Sequence, residues 1–226
     1  MTRPTSFSWR FVALAGFFVT ALVVSNIVAV KLVQVEGRVF DAGNILFPLA
    51  YVLGDVLTEV YGFRTARWVI LLGFACNVLA VVAIQIAIAL PAAEFWSENQ
   101  EAYETVLGTT WRIFVASLTA YLVGELTNSF VLQRMKAATG GRFLWTRTIG
   151  SSLVGQGLDT VLFVTIAFAG TGVDLVETIL TTWLIKVAWE AAATPLTYLL
   201  ANGLKRREGL DVFDVGPRAA LAGGAG

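Results

Sequence analysis

Asp55, Glu59, Glu125, Asp159 and Glu190 lie inside long apolar runs, and Lys186 lies there with them. A charge at the centre of a membrane-spanning helix costs about 2.5–3.5 kcal/mol to insert, whereas each Leu, Ile, Phe or Val returns only about 0.3–0.6 kcal/mol. These charges therefore cancel much of the apolar gain of their helices. A chain that only had to dissolve in lipid would not carry them. Acids at such depth face a bundle interior or a wet cavity and mark the path of a substrate or ion.

Helical spacing makes these residues converge. Tyr51, Asp55 and Glu59 are four apart and share one face. Ser117, Tyr121, Glu125 and Asn128 share another, as do Ser152, Gln156 and Asp159, then Trp183, Lys186, Glu190 and Thr194. Asn77 and Gln85 share a face and suit hydrogen bonds between helices. Each group has a structural alternative. Lys186 and Glu190 can neutralise one another. Glu59, near a helix end, is better placed to pair with Arg64 or Arg67 than to serve a site. Asp55, Glu125 and Asp159 have no basic neighbour at helical spacing and are the better site candidates. Trp183 and Trp189 lie deep; either can stack on a flat ligand, though core packing is the simpler role. Pro48 and Pro195 fall within two of the runs and can kink them.

Other chemistries are excluded by what the chain lacks. It has no His, so His-based metal sites, His general bases and Ser-His triads are absent. The lone Cys76 makes neither an internal disulfide nor a zinc cluster. There is no GxxxxGK[ST] phosphate loop, so the chain is not itself an ATPase. No metal or cofactor is expected. Asp55 and Asp159 could formally form an intramembrane aspartyl pair, but neither carries the flanking motifs of such proteases.

The elements that must position these residues are membrane helices. The chain has 226 residues, 57% hydrophobic and 14% charged, with mean hydropathy +0.73. A soluble domain carries about 25% charged residues. Its runs approach or exceed the ~20 residues needed to cross ~30 Å of hydrocarbon. They predict six helices: Trp9 to Lys31, Ala42 to Gly62, Trp68 to Leu90, Thr110 to Arg134, Thr148 to Ala169 and Leu175 to Leu204. The expected fold class is an all-α integral membrane protein of one domain over 1–210. The loop from Pro91 to Thr109 can fold as a short surface helix, and 211–226, Gly/Ala-rich from Val215, is expected to be disordered. Small residues at Gly150, Ser151, Gly155 and Gly157 allow close helix approach in the fifth run.

Loop charges set the orientation. One set of loops holds Arg3, Arg10, Arg64, Arg67, Arg134, Lys136, Arg142, Arg147 and Lys205 to Arg207. The other holds Arg38 as its only interior basic residue, with Glu36, Asp41, Glu94, Glu98, Glu101, Glu104, Asp174 and Glu177. Positive loops stay inside, so both termini are expected in the cytoplasm, which an even number of spans satisfies. Zero net charge gives no bulk attraction to nucleic acid; the bilayer is the expected partner.

The run Asn44-Ile-Leu-Phe-Pro-Leu-Ala-Tyr-Val-Leu-Gly-Asp-Val-Leu-Thr-Glu-Val-Tyr-Gly-Phe-Arg64 resembles the signature of the queuosine precursor transporter family, also called the vitamin uptake transporter family. Ala120-Tyr-Leu-Val-Gly-Glu125 with Asn128-Ser129, Trp145-Thr-Arg147 through Ser151-Ser152, and Gly155-Gln-Gly-Leu-Asp-Thr160 extend the likeness over roughly 26–205. The resemblance implies a non-enzymatic bacterial inner-membrane importer of 7-cyano- or 7-aminomethyl-7-deazaguanine, similar in architecture to the substrate-binding subunits of energy-coupling-factor transporters. Asp55, Glu59, Gln156 and Asp159 fall on its motif positions. A homo-oligomer and a separate energising ATPase module stay open, as do an intramembrane hydrolase and a non-transporting scaffold.

The residues suit such a ligand. A deazaguanine presents N1–H and an exocyclic NH₂ side by side, which one carboxylate can accept bidentately. Its O6 needs a donor such as Gln156 or Asn128. Its ring needs an aromatic face such as Tyr51, Tyr121 or Trp183. An aminomethyl cation would take a second carboxylate. The expected substrate site is thus Asp55, Glu125, Asp159, Gln156, Tyr51, Tyr121, Asn128, Glu59, Glu190 and Trp183, around a central cavity lined by the first three. Any of these acids that is buried could also carry a proton, so coupling to protons is an open question of the same site.

Overall fold

The computed structural model describes residues 8–29, 31–35, 38–108, 111–172 and 174–214. Among them are seven α-helices: α1 (Trp9–Val28), α2 (Phe47–Tyr61), α3 (Phe63–Ala89), α4 (Gln100–Leu107), α5 (Trp111–Ala138), α6 (Leu144–Phe168) and α7 (Leu175–Glu208). Four are long and apolar enough to cross a membrane on their own: α1, α3, the Arg112–Ala138 part of α5, and α6. The six expected runs are all helical. However, α2 at 15 residues is shorter than a lone span, and α7 is diluted by Lys186, Glu190 and its basic end. At 34 residues α7 is about 51 Å long, well beyond the hydrocarbon thickness.

Helix α2 is the axis of the bundle and packs against α1, α3, α5 and α7. Every residue from Val52 to Tyr61 is buried. That burial explains how a helix too short to span alone can carry two acids: its polar groups meet protein rather than lipid. Around it, α1 turns a stripe of Phe11, Ala15, Phe18, Leu22 and Ser25 inward, spaced alternately four and three apart.

Pro48 does not kink α2. It sits in the first turn, where its missing N–H costs nothing, and Ala42–Ile45 form a separate 3₁₀ turn. Pro195 does lie inside α7, with Thr194 bonding back to the Glu190 carbonyl at 2.9 Å. Between α1 and α2 the chain forms an antiparallel hairpin, β1 (Leu32–Val35) with β2 (Arg38–Asp41), which the helical reading did not anticipate. Half of its eight residues are β-branched or aromatic, and they flank Glu36-Gly37. The connection after α3 holds a 3₁₀ turn at Glu94–Asn99 and the surface helix α4.

Helices α5 and α6 make the closest contact in the bundle. Gly124 and Asn128 on α5 meet Gly155 and Asp159 on α6, and Met135 lies against Gly150. Here Gly155 lies against Asn128 and the Gly124 carbonyl, and Gly124 lies against Asp159. Arg112 of α5 ties the far end, donating to the Ile166 carbonyl at 2.6 Å and to that of Ala169. A cation on the last carbonyls of α6 also complements that helix's dipole.

Candidate functional site

Asp55 projects from the centre of α2 and is 1% exposed. The Asn128 amide of α5 donates to its Oδ1 at 2.8 Å. Glu190 of α7 is also buried, at 2% exposed. Glu125 of α5 lies over Gly54, where any side chain would collide with it. Gln156 of α6 is buried as well. Among the described residues, Asp55 Oδ2, Glu125 Oε1, Asn128 Oδ1, Gln156 Oε1 and both Glu190 oxygens receive no hydrogen bond. Buried polar atoms are nearly always paired, so a cluster of orphan acceptors drawn from four helices calls for donors from elsewhere.

The remaining candidates are engaged. Asp159 of α6 accepts from Lys186 of α7 at 2.5 Å, a half-buried pair across helices. Spacing along α7 allows Lys186 to neutralise Glu190, one turn on; the facing helix also offers it Asp159. Trp183 lies on Gly157 and donates its indole N–H to the Leu153 carbonyl at 3.0 Å. The Tyr121 hydroxyl donates to the Ile70 carbonyl at 3.1 Å. Tyr51 stacks on Phe47 with ring centres 6.4 Å apart. As helix glue, Asn26 donates to Asn77 at 2.8 Å. Trp9, Trp68 and Trp145 are all exposed at the basic end of the bundle.

Glu59 lies one turn below Asp55 and belongs to a different structure. It pairs with neither Arg64 nor Arg67. Arg147 of α6 grips it with two bonds, Nε to Oε2 at 2.8 Å and Nη2 to Oε1 at 2.6 Å. Lys205 of α7 also donates to Oε1, and Lys136 of α5 stands 3.6 Å from it. Glu59, Lys136 and Arg147 are fully buried. One carboxylate thus fastens α2, α5, α6 and α7 at the basic end.

Residues 211–214 run on from α7 and close over this network as a strap; 215–226 lie outside the described residues. Asp211 bonds Lys136 at 2.6 Å and Lys205 at 2.8 Å. Val212 N–H donates to the Val60 carbonyl, and Asp214 accepts from the Arg64 N–H at 2.6 Å. The Phe213 ring lies 4.6 Å from the Lys136 ammonium. The strap presses on Gly62, whose φ of 83° makes the sharp break between α2 and α3.

The sequence relatives fit this arrangement. Residues 41–200 match the family described as "Putative vitamin uptake transporter". The chain belongs to that family. This transporter is 31% identical over 182 residues to a "Probable queuosine precursor transporter" of Bacillus subtilis (strain 168), covering 79% of each chain. It is 25% identical over 126 residues to a protein of the same description from Haemophilus influenzae, covering 56% of this chain and 51% of that one. No solved structure matches it. This transporter is accordingly a multi-pass membrane protein with a small-molecule substrate. The matched segment holds every central acid but leaves out Lys205 and the strap.

The strap gives this transporter a pH-dependent contact. Burial alone would raise the Asp211 carboxyl, but hydrogen bonds from Lys136 and Lys205 outweigh it and hold it below the usual carboxylate range. A depressed folded value contributes stability that is fully present above about pH 4 and is lost as pH falls through the lower folded value. Asp211→Asn is therefore expected to speed proteolysis after 208 at neutral pH. The gap from wild type should close on acidification; a gap unchanged at low pH would refute this role for the charge.

Proposed function

We propose that this transporter imports a 7-deazaguanine precursor of queuosine, the 7-cyano or 7-aminomethyl form, across the bacterial inner membrane. The observation that carries this reading is the buried group of acceptors without donors around Asp55, Glu125, Asn128 and Gln156. A deazaguanine brings the missing donors. Its N1–H and NH₂ match the two oxygens of Glu125, its O6 accepts from the Asn128 or Gln156 amide, and Asp55 lines the floor. Tyr51 and Tyr121 supply aromatic faces. Asp159, already balanced by Lys186, can turn to an aminomethyl cation. Glu59 and Trp183 are assigned to closure and packing. In this reading α1, α2, α3, α5, α6 and α7 cross the membrane with both termini inside, as the loop charges require, and the layout parallels the substrate-binding subunits of energy-coupling-factor transporters.

Thermal stability of the purified protein tests it. A ligand at a hundredfold excess over its Kd stabilises the folded state by about 2.7 kcal/mol. A rise in Tm is expected with a deazaguanine and not with biotin, and it should vanish in Glu125→Gln. No rise with either deazaguanine would overturn the substrate while leaving the membrane bundle intact. Uptake into liposomes by this chain alone would exclude dependence on a separate ATPase module. A hydrolase built on Asp55 and Asp159 loses its footing, because those acids are held by different partners, Asn128 and Lys186.

A further inference from the structure

Between the Asp55 site and the basic end, the bundle is shut in layers. Thr58 of α2 and Ser129 of α5 share a hydrogen bond of 2.9 Å, and both are fully buried. The Gln133 amide of α5 donates to the Thr58 carbonyl at 2.5 Å. Glu59 follows with Lys136, Arg147 and Lys205. The strap at 211–214 is the last layer. It leaves α7 at Gly209, which has a φ of 64°, and crosses the end of the bundle. Its contacts reach three other places. Asp211 bonds Lys136 of α5, whose ammonium also donates to the Val212 carbonyl at 2.8 Å. Val212 and Asp214 hold the corner between α2 and α3 through the backbone of Val60 and Arg64. The Phe213 ring covers Gly141 in the turn between α5 and α6, 3.1 Å from where a Cβ would stand.

We propose that residues 211–214 are the latch of the inner gate. Seated, they hold the passage from the Asp55 site to the basic end shut; their release is the step that lets it open. This rests on the transport reading above and adds the element that gates it. Charge ties the latch to the layers beneath. Lys136 and Lys205 meet on the same Oδ1 of Asp211. Lifting the strap leaves Glu59 with Lys136, Arg147 and Lys205 around it and sets two ammonium groups against each other. Lys136 is fully buried, and a buried charge stripped of its partner is strongly unfavourable until water reaches it. Release of the strap and entry of water at the inner end are therefore one event. The latch contacts exist in the closed arrangement only, so they bias a two-state equilibrium toward closure. Losing one charge-assisted hydrogen bond shifts such an equilibrium by about tenfold or more.

Two measurements on the full chain test this. Ser129→Cys combined with Cys76→Ala places the single thiol between the site and the strap. In detergent its reaction with a maleimide should be slow, and adding Asp211→Asn should speed it about tenfold. Phe213→Ala should act in the same direction. Equal labelling rates with and without these changes would overturn the latch, and this readout needs no substrate. The second measurement fastens the strap. Arg64 is exposed and meets Asp214 through its backbone N–H, so Arg64→Cys with Asp214→Cys, again with Cys76→Ala, allows a disulfide between strap and α3. Oxidised in liposomes, this variant should lose exchange of labelled 7-cyano-7-deazaguanine. Reduction of the same sample should restore it, which separates locking from misfolding. Exchange at the wild-type rate with the strap fastened would overturn the proposal. A wild type that exchanges no deazaguanine would overturn the substrate reading instead, and the maleimide rates would then decide the latch by themselves.

Discussion

Glu59→Gln is expected to destabilise the protein by about 3–5 kcal/mol, the usual cost of removing one partner from a buried ion pair. The side chain hardly changes in size, so the loss is electrostatic. Arg147 and Lys136 stay buried, and the carboxylate that accepted two bonds from the guanidinium is gone. Denaturation in detergent should show a lower midpoint, and Arg147→Gln alone should be comparably damaging. The double variant should be less unstable than the sum of the singles, because each strands the other's charge. A midpoint for Glu59→Gln close to wild type would mean that water reaches the network and that it behaves as a surface pair, worth about 0–1 kcal/mol.

That network shows where a sequence stops being readable. Lys136, Arg147 and Lys205 are legible as charges that set the orientation of loops. Lys136 and Arg147 are in fact buried in the bundle and Lys205 reaches into it, because α5 runs on to Ala138, α6 starts at Leu144 and α7 continues to Glu208. Each extension carries a basic residue from the expected loop onto a buried helix face. The nearer candidates, Arg64 and Arg67, are close to Glu59 only along the chain. The break at Gly62 turns α3 away, and the Arg64 backbone is taken by Asp214. Periodicity assigns a residue to a face of its own helix but does not say which helix stands opposite. The same gap explains why Lys186 meets Asp159 rather than being settled by its spacing to Glu190.

What periodicity could see was the convergence itself. Asp55, Glu125, Gln156 and Glu190 all stand on faces that turn inward, because the other faces of their helices are apolar and suit lipid. The small residues of α6 likewise announced a close partner without naming α5. The hairpin between α1 and α2 was hidden for the opposite reason: it is short, and it sits between two strong helical signals.

Gly155→Ala should invert the ordinary ranking of helix formers. In a helix interior Ala is favoured over Gly by about 0.8–1.0 kcal/mol. At 155 the added methyl would stand 2.5 Å from the Asn128 Cβ and 2.9 Å from the Gly124 carbonyl oxygen, both fixed parts of a helix rather than flexible side-chain tips. The two helices must separate, and overpacking of this kind costs about 1–3 kcal/mol. Separation also draws Asn128 away from Asp55, so ligand stabilisation should fall further than the loss of stability alone accounts for. Gly203→Ala on α7, where a Cβ meets nothing within 4 Å, is the matching control and should stabilise. Opposite signs at these two positions, read from unfolding midpoints, can come only from the α5–α6 contact, since the backbone preference is the same in both. A gain at both would mean that α5 and α6 stand farther apart than this close approach requires, and the floor of the site would then have to be built without Asn128.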